Sequence, residues 1–304
     1  MNAPLMFTID AAPSLADALA AQAGLAVGAI TVRRFPDAES YVRFDTPVAG
    51  RDVVLLCTLD RADEKTLALI FAADAARGQG ARSVGLVAPY LGYMRQDKAF
   101  QPGEAVTSVS YGAMLSRAVD WLVTVDPHLH RHPTLDAVYA IPAFALTAAT
   151  AVAEWLKAEV VRPVLIGPDE ESAQWVERIA ALARARATVL RKTRRGDYDV
   201  AIAGAVPEIG ADETPVIVDD IASSARTMIE AVERLRAATG RSPVCIAVHP
   251  VFAGDAHAAL CAAGPLRVVS TDSIAHPTNA IGLAPLIAPA IGPAIAAGLA
   301  AKRG

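Results

Sequence analysis

The sequence predicts an α/β protein of two similar domains, each a mostly parallel sheet flanked by helices. Three observations lead there. Short β-branched runs alternate with longer helical, often Ala-rich stretches, the rhythm of βα units. Several runs, such as Val53–Leu56 and Val216–Val218, are continuously apolar rather than alternating. That implies burial on both sheet faces, hence parallel strands under helices. Finally, 304 residues suit two domains at roughly 100–200 residues each. A strand ending in Val-Asp at Leu122–Asp126 is echoed by Val216–Asp220, which ends in Val-Asp-Asp.

Strands are expected at Ala29–Arg33, Val42–Phe44, Val53–Leu56, Ser83–Ala88, Trp121–Val125, Val164–Ile166, Thr188–Leu190, Asp199–Ala203, Val216–Val218, Val244–Val248 and Arg267–Ser270. Helices are expected at Lys65–Arg77, Ser108–Arg117, Ala143–Lys157, Glu170–Leu182, Ser224–Ala238 and Ala256–Ala263. The change of unit falls near Ala143–Lys157, giving domains 1–146 and 147–304. Ala280–Ala301 is apolar but carries three prolines and three glycines. It reads as loop plus a buried terminal helix, packing back on the first domain, rather than as a membrane span.

Composition narrows the function. Hydrophobic residues at 53% and charged residues at 20% allow large cores and exclude global disorder. A net charge of −4 without a long basic run argues against nucleic acid as partner. Cys57, Cys245 and Cys261 are odd in number and form no CxxC pair. They read as buried apolar residues of a protein in a reducing, cytoplasmic compartment. The N-terminus has no basic segment followed by an apolar core.

Ligands of open parallel sheets lie outside the carboxyl ends of the strands. The strongest signal there is Val216-Ile-Val-Asp-Asp-Ile-Ala-Ser-Ser-Ala-Arg-Thr-Met228. A buried strand delivers Asp219 and Asp220, and a loop with Ser223 and Ser224 leads to Thr227 at a helix start. Backbone N–H groups of such a loop converge on an anion, and the helix terminus adds positive potential. Ionised carboxylates beside a phosphate pocket accept from the vicinal hydroxyls of a ribose. An ordinary helix N-cap would explain Ser224, but not two carboxylates on an apolar strand end.

This segment resembles the phosphoribosyl pyrophosphate loop of type I phosphoribosyltransferases and ribose-phosphate pyrophosphokinases. Five further segments, in the same order, resemble the pyrophosphokinase family. They are Arg34–Glu39, Pro89–Lys98 (PYLGYMRQDK), Thr124–His128, Gly167–Glu170 and Lys192-Thr-Arg194. The form of the last two and of the Asp-Asp-Ile-x-Ser run is similar to the archaeal-type branch. The resemblance implies two duplicated type I phosphoribosyltransferase-like domains, ATP and ribose 5-phosphate as partners, Mg²⁺ as cofactor, and a homodimer or higher homo-oligomer. It implies adenine near Phe35, Asp37 and Glu39, and polyphosphate on Arg95, Gln96 and Asp97. His128 and Asp169 become metal ligands, and Lys192 and Arg194 belong to a mobile catalytic loop. Asp219, Asp220, Ser223, Ser224, Ala225, Arg226 and Thr227 hold the sugar phosphate.

Each assignment has a plainer competitor. The competing reading of Phe35 is a core aromatic. Arg95–Gln96 reads as a solvated turn, and the basic run Arg191–Arg195 as a solvated face. His128, His130 and His132 form an H-x-H-x-H run that would suit zinc or nickel, without nearby Cys or acidic ligands to complete it. His249 and His257 read as structural or surface groups. Departures from the family pattern are also present. Ala225-Arg226-Thr227 stands where Gly-Gly-Thr is usual, so a left-handed backbone there would fall on a residue with a Cβ. Glu171 adds charge beside Asp169. Ala49 replaces an arginine tied to regulatory phosphate, which speaks against ADP inhibition through that site. Alternative functions are a weak or inactive regulatory paralogue that binds the same ligands, and a phosphoribosyltransferase.

Overall fold

The computed structural model describes residues 3–129, 131–195, 199–203 and 208–303, with backbone alone at 171, 191–195 and 199–203. The chain divides into two compact units. One comprises 1–147, 273–275 and 283–304, and the other 148–272 and 276–282.

The first unit runs β1 (Leu5–Asp10), α1 (Pro13–Ala23), β2 (Ala26–Val27), β3 (Ile30–Arg34), β4 (Ser40–Phe44), β5 (Asp52–Cys57), α2 (Ala62–Gly78), β6 (Ser83–Ala88), α3 (Thr107–Ala118), β7 (Trp121–Val125) and β8 (Ala143–Leu146). Six strands form a parallel sheet in the order β2-β1-β5-β6-β7-β8. β5 and β6 are buried at every position, as their unbroken apolar character requires. β3 and β4 form a separate antiparallel hairpin.

The second unit runs α4 (Ala149–Glu159), β9 (Pro163–Gly167), α5 (Ala173–Ala183), β10 (Arg186–Val189), β11 (Arg191–Arg195), β12 (Asp199–Ala203), β13 (Thr214–Ile221), α6 (Arg226–Thr239), β14 (Val244–His249), α7 (Ala256–Ala262), β15 (Arg267–Thr271) and β16 (Asn279–Ile281). Its sheet has the order β10-β9-β13-β14-β15-β16 and is again parallel. Each unit places a two-stranded antiparallel hairpin after its second sheet strand. In each, the chain steps outward from the first strand and re-enters on the first strand's other side. The strand order therefore reverses at β1/β5 and at β9/β13, the switch points where a crevice opens.

Helix α8 (Ala284–Ala301) returns to the first unit. By length and a mean hydropathy of 1.7 it would suffice to cross a membrane. Here it packs on β6, β7, β8 and α1. The fully buried Trp121 ring is fitted between two glycines. A Cβ added at Gly85 would stand 1.8 Å from the ring, and one at Gly298 2.6 Å from it.

Three expectations change. Ala143–Lys157 is not one helix: Ala143–Leu146 pairs with Leu122–Val125 as an edge strand, and α4 starts at Ala149. Edge pairing overrides the helical propensity of alanine. Arg191–Arg195 is not a loop but a strand, with Lys192 opposite Ile202. β1 and α1, missing from the sequence reading, form the sheet's first βα unit; Pro13 starts α1, and Gly24 closes it at φ 63°. All three cysteines are free, and two are buried as expected. Burial lifts the Cys57 thiol to about 12. Cys261 is exposed, with its Sγ 3.5 Å from His257 Nε2.

Candidate active site

In the second unit the crevice at β9/β13 collects three carboxylates. β9 ends at Gly167, and Asp169 follows. Its side chain accepts from Ser172 N at 3.3 Å, capping a short 3-10 turn. A Cβ at Gly167 would meet Ser172 Oγ at 2.4 Å, so glycine permits this tight turn. β13 runs longer than its apolar core because its pairing continues to Ile221↔His249. It therefore carries Asp219 and Asp220 within the strand, half-buried. Asp219 Oδ1 accepts from Asp220 N at 3.0 Å, and Asp220 Oδ1 from Ile221 N at 2.7 Å. Burial first, then the neighbouring charges of Asp220 and Asp169, push the Asp219 carboxyl well above the usual carboxylate range.

Beyond the strand, the loop is held by its backbone. Ala222 N donates to His249 O (3.1 Å), Phe252 N to Ala222 O (2.8 Å) and Ala253 N to Ser223 O (3.0 Å). Ala225 takes the left-handed conformation, φ 56°, where the family pattern has glycine, and its methyl joins the core. It is also the N-cap of α6 and makes no side-chain cap hydrogen bond. Ser224, exposed, is thus not the cap. The first turn of α6 presents amide hydrogens with Ser223, Ser224 and Thr227 close in sequence, the elements of an anion cradle. Arg226 is exposed at the first helical position.

In the first unit, the equivalent crevice at β1/β5 is filled by an ion cluster. The buried Lys65 reaches Asp10 at 2.6 Å and Asp60 at 2.5 Å, and donates to Thr58 O. The segments expected to meet ATP lie elsewhere, after β6 and β7. Leu91 and Met94 are buried and anchor the turn, Arg95 is exposed, and Gln96 accepts from Thr107 Oγ1 at 3.3 Å. Asp97, expected to meet ATP, is buried. Its side chain is 1% exposed and receives Arg131 Nη1 on both oxygens, at 2.9 and 3.1 Å. Arg131 escaped the sequence reading; the only signal was its place three residues after His128. His128 is half-buried, its N–H donating to Asp126 O at 2.9 Å. His132 meets Ser108 Oγ at 3.4 Å, whereas His130 lies outside the described residues.

The β3–β4 hairpin carries Phe35, Asp37 and Glu39 on its exposed tip. Phe35 is 39% exposed and so not a core aromatic. Its ring meets Tyr41 edge-on at 5.7 Å, and the Arg33 guanidinium lies over both rings at 4.6 and 4.2 Å. The side chains of Glu171, Lys192 and Arg194 lie outside the described residues.

No group of three or more His, Cys, Asp or Glu among the described residues is disposed to hold a metal ion. The donors at the β9/β13 crevice are all oxygen. They suit a hard ion such as Mg²⁺, which takes one or two carboxylates and completes its shell with water and substrate phosphate.

A parallel sheet with a carboxylate pair and a hydroxyl-rich loop at its switch point, set in a chain that repeats the topology, defines a phosphoribosyltransferase-type protein. Residues 5–118 match the N-terminal domain of ribose phosphate pyrophosphokinase, and 134–279 the phosphoribosyl transferase domain. The chain is 31% identical over 286 residues to a ribose-phosphate pyrophosphokinase of Halobacterium salinarum, covering 93% of this chain and 99% of the relative. It is 33% identical over 277 residues to ribose-phosphate pyrophosphokinase 2 of Archaeoglobus fulgidus, covering 91% and 96%. Phosphoribosylpyrophosphate synthetase of Mycobacterium smegmatis superimposes with a TM-score of 0.82 at 25% identity, covering 96% of this chain and 98% of that one. The chain belongs to the ribose-phosphate pyrophosphokinase family and is an enzyme of that class. The family's reaction passes the diphosphate of ATP to ribose 5-phosphate; neither a lone phosphoribosyltransferase nor an inactive paralogue finds support in these matches.

Proposed function

We propose that this chain transfers the β,γ-diphosphate of ATP to the 1-hydroxyl of ribose 5-phosphate, giving phosphoribosyl pyrophosphate and AMP, with the following division of labour. Ser223, Ser224, Thr227 and the amides from Ala225 onward hold the 5-phosphate, and Arg226 adds a cation at the rim. Asp219 and Asp220 accept from the ribose hydroxyls. Arg95 and Gln96 donate to the polyphosphate, with adenine at Phe35 and its exocyclic amine facing Asp37 and Glu39. Lys192 and Arg194 stabilise charge spread over the transferred oxygens, since phosphoryl transfer depends on positioning and electrostatics more than on covalent chemistry. Asp169 and His128 would hold Mg²⁺, which when bound neutralises phosphate charge.

One observation carries this reading: Asp169, Asp219 and Asp220 meet at the switch point of the second sheet, ahead of an uncapped helix start. Burial and the charges of Asp220 and Asp169 hold the Asp219 carboxyl above the usual carboxylate range, and a Mg²⁺-bound ribose phosphate supplies the cation and hydroxyl donors that relieve this. The enzyme works in the cytoplasm as a homodimer or higher homo-oligomer, which light scattering of the purified protein checks. The decisive assay is AMP release from ATP in the presence of ribose 5-phosphate and Mg²⁺. Absence of sugar-dependent AMP would sink the proposal. Lys192→Ala should lose turnover while keeping most ligand binding; wild-type turnover would remove that loop from the mechanism.

A further inference from the structure

We infer that Arg131 is an additional polyphosphate-binding cation of the nucleotide site and that Asp97 is its positioning residue. The inference rests on the reading above that ATP lies along the 95–98 and 128 segments.

The geometry begins with Asp97. A carboxylate this deeply buried is costly unless paired, and both of its oxygens are taken by a single nitrogen, Arg131 Nη1. The arginine, in contrast, is 47% exposed. Among the described residues its Nη2 and Nε have no hydrogen-bond partner, so three N–H donors of a rigid fork remain available on the solvent side. An arginine whose purpose was only to neutralise Asp97 would gain from using both Nη groups in the bidentate form. Here one corner is spent as an anchor, and the remaining donors are held in a fixed orientation.

The surroundings supply the second observation. Lys98 Nζ lies 5.1 Å and Arg131 Cζ 5.8 Å from the centre of the same Phe100 ring, which is 59% exposed. Two cations thus flank one exposed aromatic ring. The acid in the same loop, Glu104, is engaged by the backbone N–H groups of Phe100 (2.7 Å) and Gln101 (3.1 Å). Glu104 is thus turned onto the loop backbone, and counting Arg95 the patch carries three cations against the two carboxylates Asp97 and Glu104, a balance that suits a ligand with several anionic oxygens. The Asp97–Arg131 pair also joins the turn bearing Arg95 and Gln96 to the segment bearing His128. This fixes the spacing of two stretches that must address one polyphosphate.

The test is a double-mutant cycle on the full chain, read by steady-state AMP release. Arg131→Ala is expected to raise the KM for ATP roughly 10- to 100-fold, the loss of a charge-assisted contact, while the KM for ribose 5-phosphate stays unchanged. Asp97→Asn is expected to raise the KM for ATP in the same direction. The double variant should be no worse than Arg131→Ala, because Asp97 acts through Arg131. Arg131→Lys should recover only part of the loss, since an ammonium cannot be anchored and donate sideways at once. Should the Asp97 variants misfold, Lys98→Ala and Arg131→Lys, both at exposed positions, give the same readout. A wild-type KM for ATP in Arg131→Ala, or equal increases in both KM values, overturns the inference. So does an Asp97→Asn effect that persists undiminished without Arg131. If the wild type releases no AMP, the functional reading has failed instead, and calorimetry of MgATP binding to the wild type and Arg131→Ala still decides the role of Arg131.

Discussion

Asp220→Asn should separate the two demands placed on the β9/β13 crevice. The substitution keeps shape and the acceptor for Ile221 N, 2.7 Å away, and removes one negative charge. That charge is, after burial, the largest cause of the raised Asp219 carboxyl. Two like charges about 4 Å apart repel by about 1 kcal/mol at the dielectric of water and about 4 kcal/mol at an effective value near 20. For a half-buried site the lower end applies. The free protein should therefore gain on the order of 1 kcal/mol, a rise of about 2–4 °C in Tm. Activity should move the other way. A hydroxyl bound to a carboxylate contributes about 1.5–3 kcal/mol, more than one bound to a neutral amide. The loss should lower kcat/KM for ribose 5-phosphate by roughly 10- to 100-fold. Differential scanning fluorimetry without ligands and AMP release at varied sugar concentration measure both. A drop in Tm would mean that Asp220 is structural. An unchanged KM for ribose 5-phosphate would refute its place in the sugar site.

Gly85→Ala should destabilise the first unit by at least about 1–3 kcal/mol, because the new methyl falls on the rigid Trp121 ring in a close-packed core; a wild-type melt would show that α8 does not pin the ring there. Lys65→Met leaves Asp10 and Asp60 without their ammonium and should cost about 3–5 kcal/mol in urea unfolding with an unchanged m-value. Acid stability should depend on Asp52 and Asp120. Against the cost of burial, Arg82 and Ser83 hold Asp52 below the usual range, and Lys302, Val84 N and Arg77 do so for Asp120. A depressed folded pKa gives stability that is complete above the unfolded value, near 3.8, and lost as pH falls through the lower folded value. Asp120→Asn should flatten the acid limb of a Tm-against-pH curve, and an unaltered limb would exclude that linkage.

The βα rhythm was legible because strand segments buried on both faces must be continuously apolar, and Val53–Cys57, Val216–Val218 and Val244–Val248 are. Elements whose form depends on a distant partner were not legible. Ala143–Leu146 becomes a strand only because β7 presents a free edge, and Arg191–Arg195 only because β12 lies opposite. The Asp219–Thr227 segment was readable because strand end, carboxylates, hydroxyls and helix start are consecutive. Ala225 shows that the turn demands a left-handed residue even where glycine is lacking.

What the sequence alone determined, then, is every feature written in neighbouring residues: the fold class, the strand–loop–helix segment at Asp219–Thr227 and the family. What tertiary structure decided is how separate segments spend their charges. Only the folded chain gives Asp97 to Arg131 and Lys65 to Asp10 and Asp60, and only there do Asp220 and Asp169 press on Asp219. The physical reason is that electrostatic energy follows distance and burial through space, and neither is a local property of the chain.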